Sequence, residues 1–329
     1  MLAIEASSFG PPSVLRAVEI PQPEIGPGEV LIRVEAAGVS RADVLQRQGN
    51  YPPPPGASQT LGLDVAGSIA AVGSDVMRWR LGDRVCALVN GGGYAEFCSV
   101  PFGQVLPIPE GWSATEAATL PENLFTVFDN MVTRARLRKG DTVLVHGGTS
   151  GIGSMAIMLA RAIGAVPYAT AGSDEKCEAC LRIGAERAIN YRSQDFVVEI
   201  GRYTGGRGVD VVLDIVGGSY LEKNLDALAI EGRLSIVATL GGSNGAFPIR
   251  KLMGKRATVL GSTMRVRTTA EKAAISEALL AGIWPLLPEK KSIRPVIDST
   301  FPLQDARAAH ERMESGLHIG KIILTGETP

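Results

Sequence analysis

The chain is poor in the residues that most often hold a metal or act as a nucleophile: 329 residues include only 3 histidines and 4 cysteines. Cys86, Cys98, Cys177 and Cys180 are too few for a disulfide framework in a chain this long, and they suit a reducing compartment. Charge of one sign is also lacking, because 33 Lys and Arg against 34 Asp and Glu leave a formal charge of −1. That balance lacks the electrostatic footprint of a nucleic-acid binder, so no nucleic-acid partner is expected. No charge-free apolar run reaches about 18 residues. The opening MLAIEASSFGPPSV has no basic stretch leading into an apolar segment, so a soluble, cytoplasmic chain without membrane contact is expected.

Glycine, by contrast, is abundant, with 39 residues and no fixed period, which excludes collagen-like repeats and points to many tight turns. Thirteen of the 20 prolines fall in residues 1–121, where the runs Val30–Val34, Ser68–Val72 and Arg84–Val89 alternate with Gly and Pro turns. This half reads as a compact β-rich domain, with Pro52–Pro55 as a stiff loop. From about residue 122 the texture changes. Thr142–His146, Val166–Thr170, Ala188–Tyr191, Val209–Ile215, Leu234–Thr239 and Thr258–Leu260 read as strands, with helices at Ser154–Ile163, Lys176–Arg182 and Tyr220–Ala229 among them. Short apolar strands joined by crossovers imply a doubly wound parallel sheet, an α/β fold. The tail holds a helical pattern at Thr269–Ala281 and strand-like pieces at Arg294–Asp298 and Lys321–Leu324, too little to fold alone. The expected organisation is therefore a first domain of 1–121 completed by 263–329, with a dinucleotide-binding domain of 122–262 between them.

The strongest motif is VLVHGGTSGIGSMA at 143–156, where Gly151 to Ala156 fits G-x-G-x-x-G/A directly after a strand and at the mouth of a helix. Glycines let backbone approach a pyrophosphate, and the helix start offers unpaired N–H groups and a positive dipole end. The second strand ends in Ala171-Gly172-Ser173, without the carboxylate that would hold an NAD ribose. Lys176 and Tyr191 follow, a set able to hold a 2′-phosphate, so NADPH is favoured. Asp174 and Glu175 stand nearby, and Asp174 as a helix cap is the plainer reading of that segment.

A β-rich domain followed by this unit resembles the alcohol-dehydrogenase type of medium-chain reductase, many of which hold zinc with Cys and His. Here Ser40 stands for the early Cys, Gly62-Leu63-Asp64 stands for Gly-His-Glu, and the four-cysteine lobe is absent, so no metal is expected. His146 ends a strand and reads as core, and Cys177-x-x-Cys180 reads as helix packing.

Eight segments extend the resemblance over nearly the full length: AGVSRADVLQRQGNYPPPPGAS (37–58), GDRVCALVNGGGYAEF (82–97), LPENLFTVFDN (120–130), VLVHGGTSGIG (143–153), ATAGSDEKC (169–177), AINYR (188–192), GSTMRVR (261–267) and HIGKIIL (318–324). They are similar to the zinc-independent, zeta-crystallin-like NAD(P)H quinone oxidoreductases, in the branch of the tumour-suppressor-inducible quinone oxidoreductase. The resemblance implies a GroES-like catalytic domain, a Rossmann domain, an active site in the cleft, NADPH-dependent quinone reduction and a homodimer or homotetramer. It implies that Tyr51 borders nicotinamide and substrate, that Thr126 lies near the nicotinamide, and that Ser150, Gly151 and Ile152 meet the pyrophosphate. Gly172, Ser173, Lys176 and Tyr191 would hold the 2′-phosphate end, while Leu240, Gly241, Thr263, Met264 and Arg265 would line the nicotinamide side. Two departures stand out: Ser40 replaces the usual Asn, and Gly316 occupies a position where relatives place an Arg, leaving only Lys321 as a distant aid to the phosphate.

The expected chemistry is metal-free hydride transfer from NADPH to a small-molecule quinone. Tyr51 and the proline loop would shape the pocket, and Tyr51 or Asp43 would steer a proton near Ser40 unless water supplies it. Reduction of 2-alkenals or enones, and NADPH binding with little turnover, are the competing readings.

Overall fold

The computed structural model describes residues 1–288 and 292–326 in two compact units. One comprises Met1–Phe125 with 265–288 and 295–326, the other Thr126–Met264 with 292–294. Of the expected tail 263–329, residues 289–291 and 327–329 lie outside the described residues. No helix among the described residues is long and apolar enough to cross a membrane.

The first unit is built on the strand Glu29–Val39, in which Val30, Ile32 and Val34 turn inward while Arg33 and Glu35 are exposed. That alternation is the period of a half-buried strand. It pairs antiparallel with Asp64–Val72 on one side. On the other it pairs with Phe97–Pro101 along one half and Lys321–Thr325 along the other. Ile297–Pro302, Arg84–Leu88 and Val105–Pro107 complete the seven-stranded sheet. The expected strand at Arg294–Asp298 is found later in the chain, at Ile297–Pro302. Pro295 has no N–H for a ladder, so pairing starts beyond it. Sequence periodicity missed the hairpin Leu2–Ala6 with Leu15–Glu19 and the helices Arg41–Arg47 and Ala306–Glu314.

The second unit is the parallel α/β sheet expected from the sequence. Its six strands run Arg187–Asn190, Val166–Ala171, Thr142–Val145, Val209–Asp214, Leu228–Ile236 and Thr258–Gly261 across the sheet. In chain order that is 3-2-1-4-5-6, with the order reversing beside Thr142–Val145, the place where such sheets bind ligands. Val143–Val145 and Val211–Leu213 are fully buried, as strands covered on both faces must be. The fifth strand begins at Leu228, earlier than Leu234, and it contains Glu231 at φ 63°. Its Glu-Gly-Arg stretch resembles a turn, which is why the pattern hid its first half.

Candidate cofactor and acceptor sites

In the second unit the helix Gly151–Ala162 starts three residues before the expected Ser154, and this changes the role of each glycine. The strand-to-helix turn is made by Gly147, at φ 68°, and Gly148. Ser150 caps the helix, its Oγ accepting the Gly153 N–H at 2.9 Å. The first-turn N–H groups of Gly151 and Ile152 have no intrahelical acceptor and stand ready for an anion. Gly153 is the packing glycine, since a Cβ there would lie 2.1 Å from the Gly147 carbonyl oxygen.

The second strand, Val166–Ala171, leads into Gly172 and then Ser173, which caps the helix Asp174–Ile183 by accepting the Lys176 N–H at 3.2 Å. The cap is thus Ser173 and not Asp174, whose carboxylate instead accepts the Asn190 side chain at 2.7 Å. Tyr191 is exposed, and its hydroxyl closes over Gly172, 2.7 Å from where a Cβ would be. Arg192, not among the expected residues, brings its Nε to 3.6 Å of the same point. Its signal lay in the Asn-Tyr-Arg end of the third strand, beside the tyrosine already singled out.

Leu240 is exposed, and it and Gly241 are held by N–H bonds to the Ile215 and Val216 carbonyls at 3.1 and 2.7 Å. Thr263 and Met264 follow the sixth strand after Ser262. All these residues follow the carboxyl ends of their strands, on one edge of the sheet. Thr126 is buried in the helix Pro121–Val127, its carbonyl accepting the Asn130 amide at 2.9 Å. His146 is sealed in the core between Thr170 and Asn224, and burial lowers its pKa to about 4.

The first unit holds the expected acceptor residues, and here the structure corrects several roles. Asp43 is fully buried, accepting from Ser40 N at 2.8 Å, Gly62 N at 3.1 Å and Tyr94 Oη at 3.2 Å. Burial pushes its carboxyl up to about 6, but it is enclosed by these donors and holds the start of the helix Arg41–Arg47 instead of facing an acceptor. Ser40 is also buried, its Oγ accepting from Lys321 Nζ at 2.7 Å. Lys321 in turn pairs with Asp64 at 2.6 Å, beside Glu122 at 3.7 Å. It is committed to this ion cluster and is not free for a phosphate.

Tyr51 is half-buried, and burial holds its phenol above the ordinary value. The Arg265 guanidinium lies 5.4 Å from its ring centre and donates to the Tyr51 carbonyl at 3.3 Å. Arg265 is itself buried and also donates to Gln46 Oε1 at 2.7 Å and to the Asn90 carbonyl. With its donors engaged in this way, it props the Tyr51 loop.

Comparison with known proteins places both units. Residues 26–110 match the family model of the alcohol dehydrogenase GroES-like domain, and 151–279 match that of the zinc-binding dehydrogenases. Zinc does not suit the donors present: Ser40 and Asp64 share the Lys321 ammonium, Leu63 offers no donor, and no trio of His, Cys, Asp or Glu among the described residues could hold a metal. The quinone oxidoreductase of Rattus norvegicus is 35% identical over 98% of this chain and 97% of its own length. That of Homo sapiens is 34% identical over 98% and 97%. Among solved structures, Escherichia coli quinone oxidoreductase in complex with NADPH is 29% identical, superposes with a TM-score of 0.87, and covers 99% of this chain and 100% of that one. The chain belongs to the zeta-crystallin-like branch of the medium-chain dehydrogenases and reductases, and it is an oxidoreductase.

Proposed function

We propose that this protein is an NADPH-dependent quinone oxidoreductase. The observation that carries the cofactor choice is the end of the second strand, where Gly172 lies under the Tyr191 hydroxyl with Arg192 beside it and no carboxylate turned to the ribose. A hydroxyl and cations suit a 2′-phosphate, and Lys176 stands one turn along on the same helix. The first-turn N–H groups of Gly151 and Ile152 would receive the pyrophosphate, with Ser150 fixing their direction. Leu240, Gly241, Thr263 and Met264, at the ends of the fifth and sixth strands, would flank the nicotinamide.

Bound NADPH supplies a hydride, and one proton taken from solvent completes the hydroquinone. The chain's own work is to hold both reactants and exclude competing chemistry. Tyr51, kept protonated and braced by Arg265, offers an aromatic wall and a hydroxyl to a flat acceptor. Quinones accept hydride readily without a Lewis acid, in keeping with an ammonium where a zinc ligand set would otherwise stand.

The test is initial-rate oxidation of NADPH and NADH with 1,2-naphthoquinone, on protein dialysed against a chelator. Chelator-resistant turnover favouring NADPH is expected. Lys176→Met combined with Arg192→Met should lower kcat/KM for NADPH about tenfold, equivalent to roughly 1.4 kcal/mol of lost phosphate binding, while leaving that for NADH nearly constant. Faster turnover of a trans-2-alkenal than of the quinone would overturn the substrate reading. The expectation of a homodimer or homotetramer rests on the family resemblance. Sedimentation equilibrium should accordingly return two or four copies.

A further inference from the structure

Among the described residues of the first unit, four buried cations fall into two kinds. Arg47 meets Glu314 at 2.7 Å and Lys321 meets Asp64 at 2.6 Å, so each has a carboxylate of its own. Arg265, 4% exposed, and Lys272, 1% exposed, form no ion pair among those residues; Arg265 stands beside Tyr51, and Lys272 is bonded to the Arg265 carbonyl. Their donors go to neutral oxygens: Arg265 to Asn90, Gln46 and Tyr51, and Lys272 to the Arg265 carbonyl at 2.9 Å and the Asn90 side chain. Asn90 joins the two, its backbone oxygen serving Arg265 and its amide oxygen serving Lys272.

Neutral acceptors satisfy hydrogen bonds but leave charge unbalanced, and a buried cation without a counter-charge is costly. The carboxylates that bear on the pair are Asp43 and Glu271. Asp43 is enclosed by its three donors, and Glu271 is the exposed cap partner of Thr268. Burial and the neighbouring guanidinium lower Lys272 to about 8, outweighing the pull of the exposed Glu271.

We infer that Arg265 and Lys272 make the Tyr51 site selective for acceptors bearing an acidic substituent, with the missing counter-charge supplied by a carboxylate or sulfonate on the quinone. The inference rests on Tyr51 bordering the acceptor. An acceptor bordering that ring would stand within roughly one Debye length of the guanidinium, which lies 5.4 Å from the ring centre, so the attraction needs no direct contact. Lys272 acts through Asn90 and the Arg265 carbonyl, as a positioning residue that also carries charge.

The experiment compares 1,2-naphthoquinone with its 4-sulfonate at saturating NADPH. The sulfonate should show a KM about tenfold lower, with that advantage shrinking as ionic strength rises from about 20 to about 200 mM. Lys272→Met should remove most of the advantage while Lys272→Arg keeps it. Equal KM values, a preference indifferent to salt, or a preference intact in Lys272→Met would overturn the inference. Should Lys272→Met not fold, the salt dependence of the native protein decides alone. Should no quinone be reduced, calorimetry with naphthalene-1-sulfonate, which accepts no hydride, separates the two failures. Salt-sensitive binding that weakens in Lys272→Met would uphold the charge reading although the quinone reading had fallen, and absent or salt-indifferent binding would overturn it.

Discussion

Gly153→Ala is expected to abolish NADPH binding and to destabilise the second unit by about 3 kcal/mol, the upper range for overpacking a filled site. The added methyl would stand 2.1 Å from the Gly147 oxygen and 2.8 Å from the Gly148 Cα, both backbone atoms of the turn. Backbone in a tight turn cannot yield as a long side chain can. The helix start would therefore move off the turn, carrying the Gly151 and Ile152 N–H groups with it. Thermal denaturation and a fluorescence titration with NADPH read the two effects. Gly201→Ala is the control: it lies in the helix Phe196–Tyr203, and an added Cβ would meet nothing within 4 Å. There the substitution should stabilise by about 0.5–1 kcal/mol, the gain of alanine over glycine in a helix interior. If Gly153→Ala keeps full affinity and stability, the packing role given to that glycine is wrong.

Lys321→Met should cost about 3–5 kcal/mol, the usual penalty for removing one partner of a buried ion pair. Asp64 has no exposed surface, and without Lys321 its carboxyl group would have the Glu122 N–H and a long Ser40 contact to meet it. Most of that penalty belongs to the abandoned carboxylate and not to the lost attraction. Asp64→Asn should therefore restore stability when combined with Lys321→Met, although it is itself destabilising alone. Urea denaturation of the four proteins measures the coupling. Simple additivity would show that the cluster is not a unit.

Both features had very different visibility in the amino-acid order. The glycine turn announces itself because its chemistry is local: strand, turn and helix follow one another within 143–162. The parallel sheet was legible for a similar reason, since strands buried on both faces read as unbroken apolar runs such as Val143–Val145. The helix Ile249–Lys255 was not, because it buries no residue and so carries no apolar stripe. Lys272 reads as an ordinary surface charge in TAEKAAISEA, and only Asn90, 182 positions away, shows that it is enclosed. Ser40 and Lys321, 281 positions apart, show the same limit. Asp43 was singled out as able to steer a proton, yet burial raises its carboxyl against the donors that hold it, and no local pattern predicts that enclosure.

The strand Lys321–Thr325 lies inside the seven-stranded sheet, between Ile297–Pro302 and Glu29–Val39, and not at its rim. During synthesis the sheet cannot close until Lys321–Thr325 has left the ribosome, while residues 126–264 can already be folded. At roughly 5–20 residues per second, the half of Glu29–Val39 that awaits Lys321–Thr325 stays uncovered for on the order of tens of seconds. That stretch, Ala36 to Val39, is apolar, and it is the place where a nascent chain would need shielding from its neighbours.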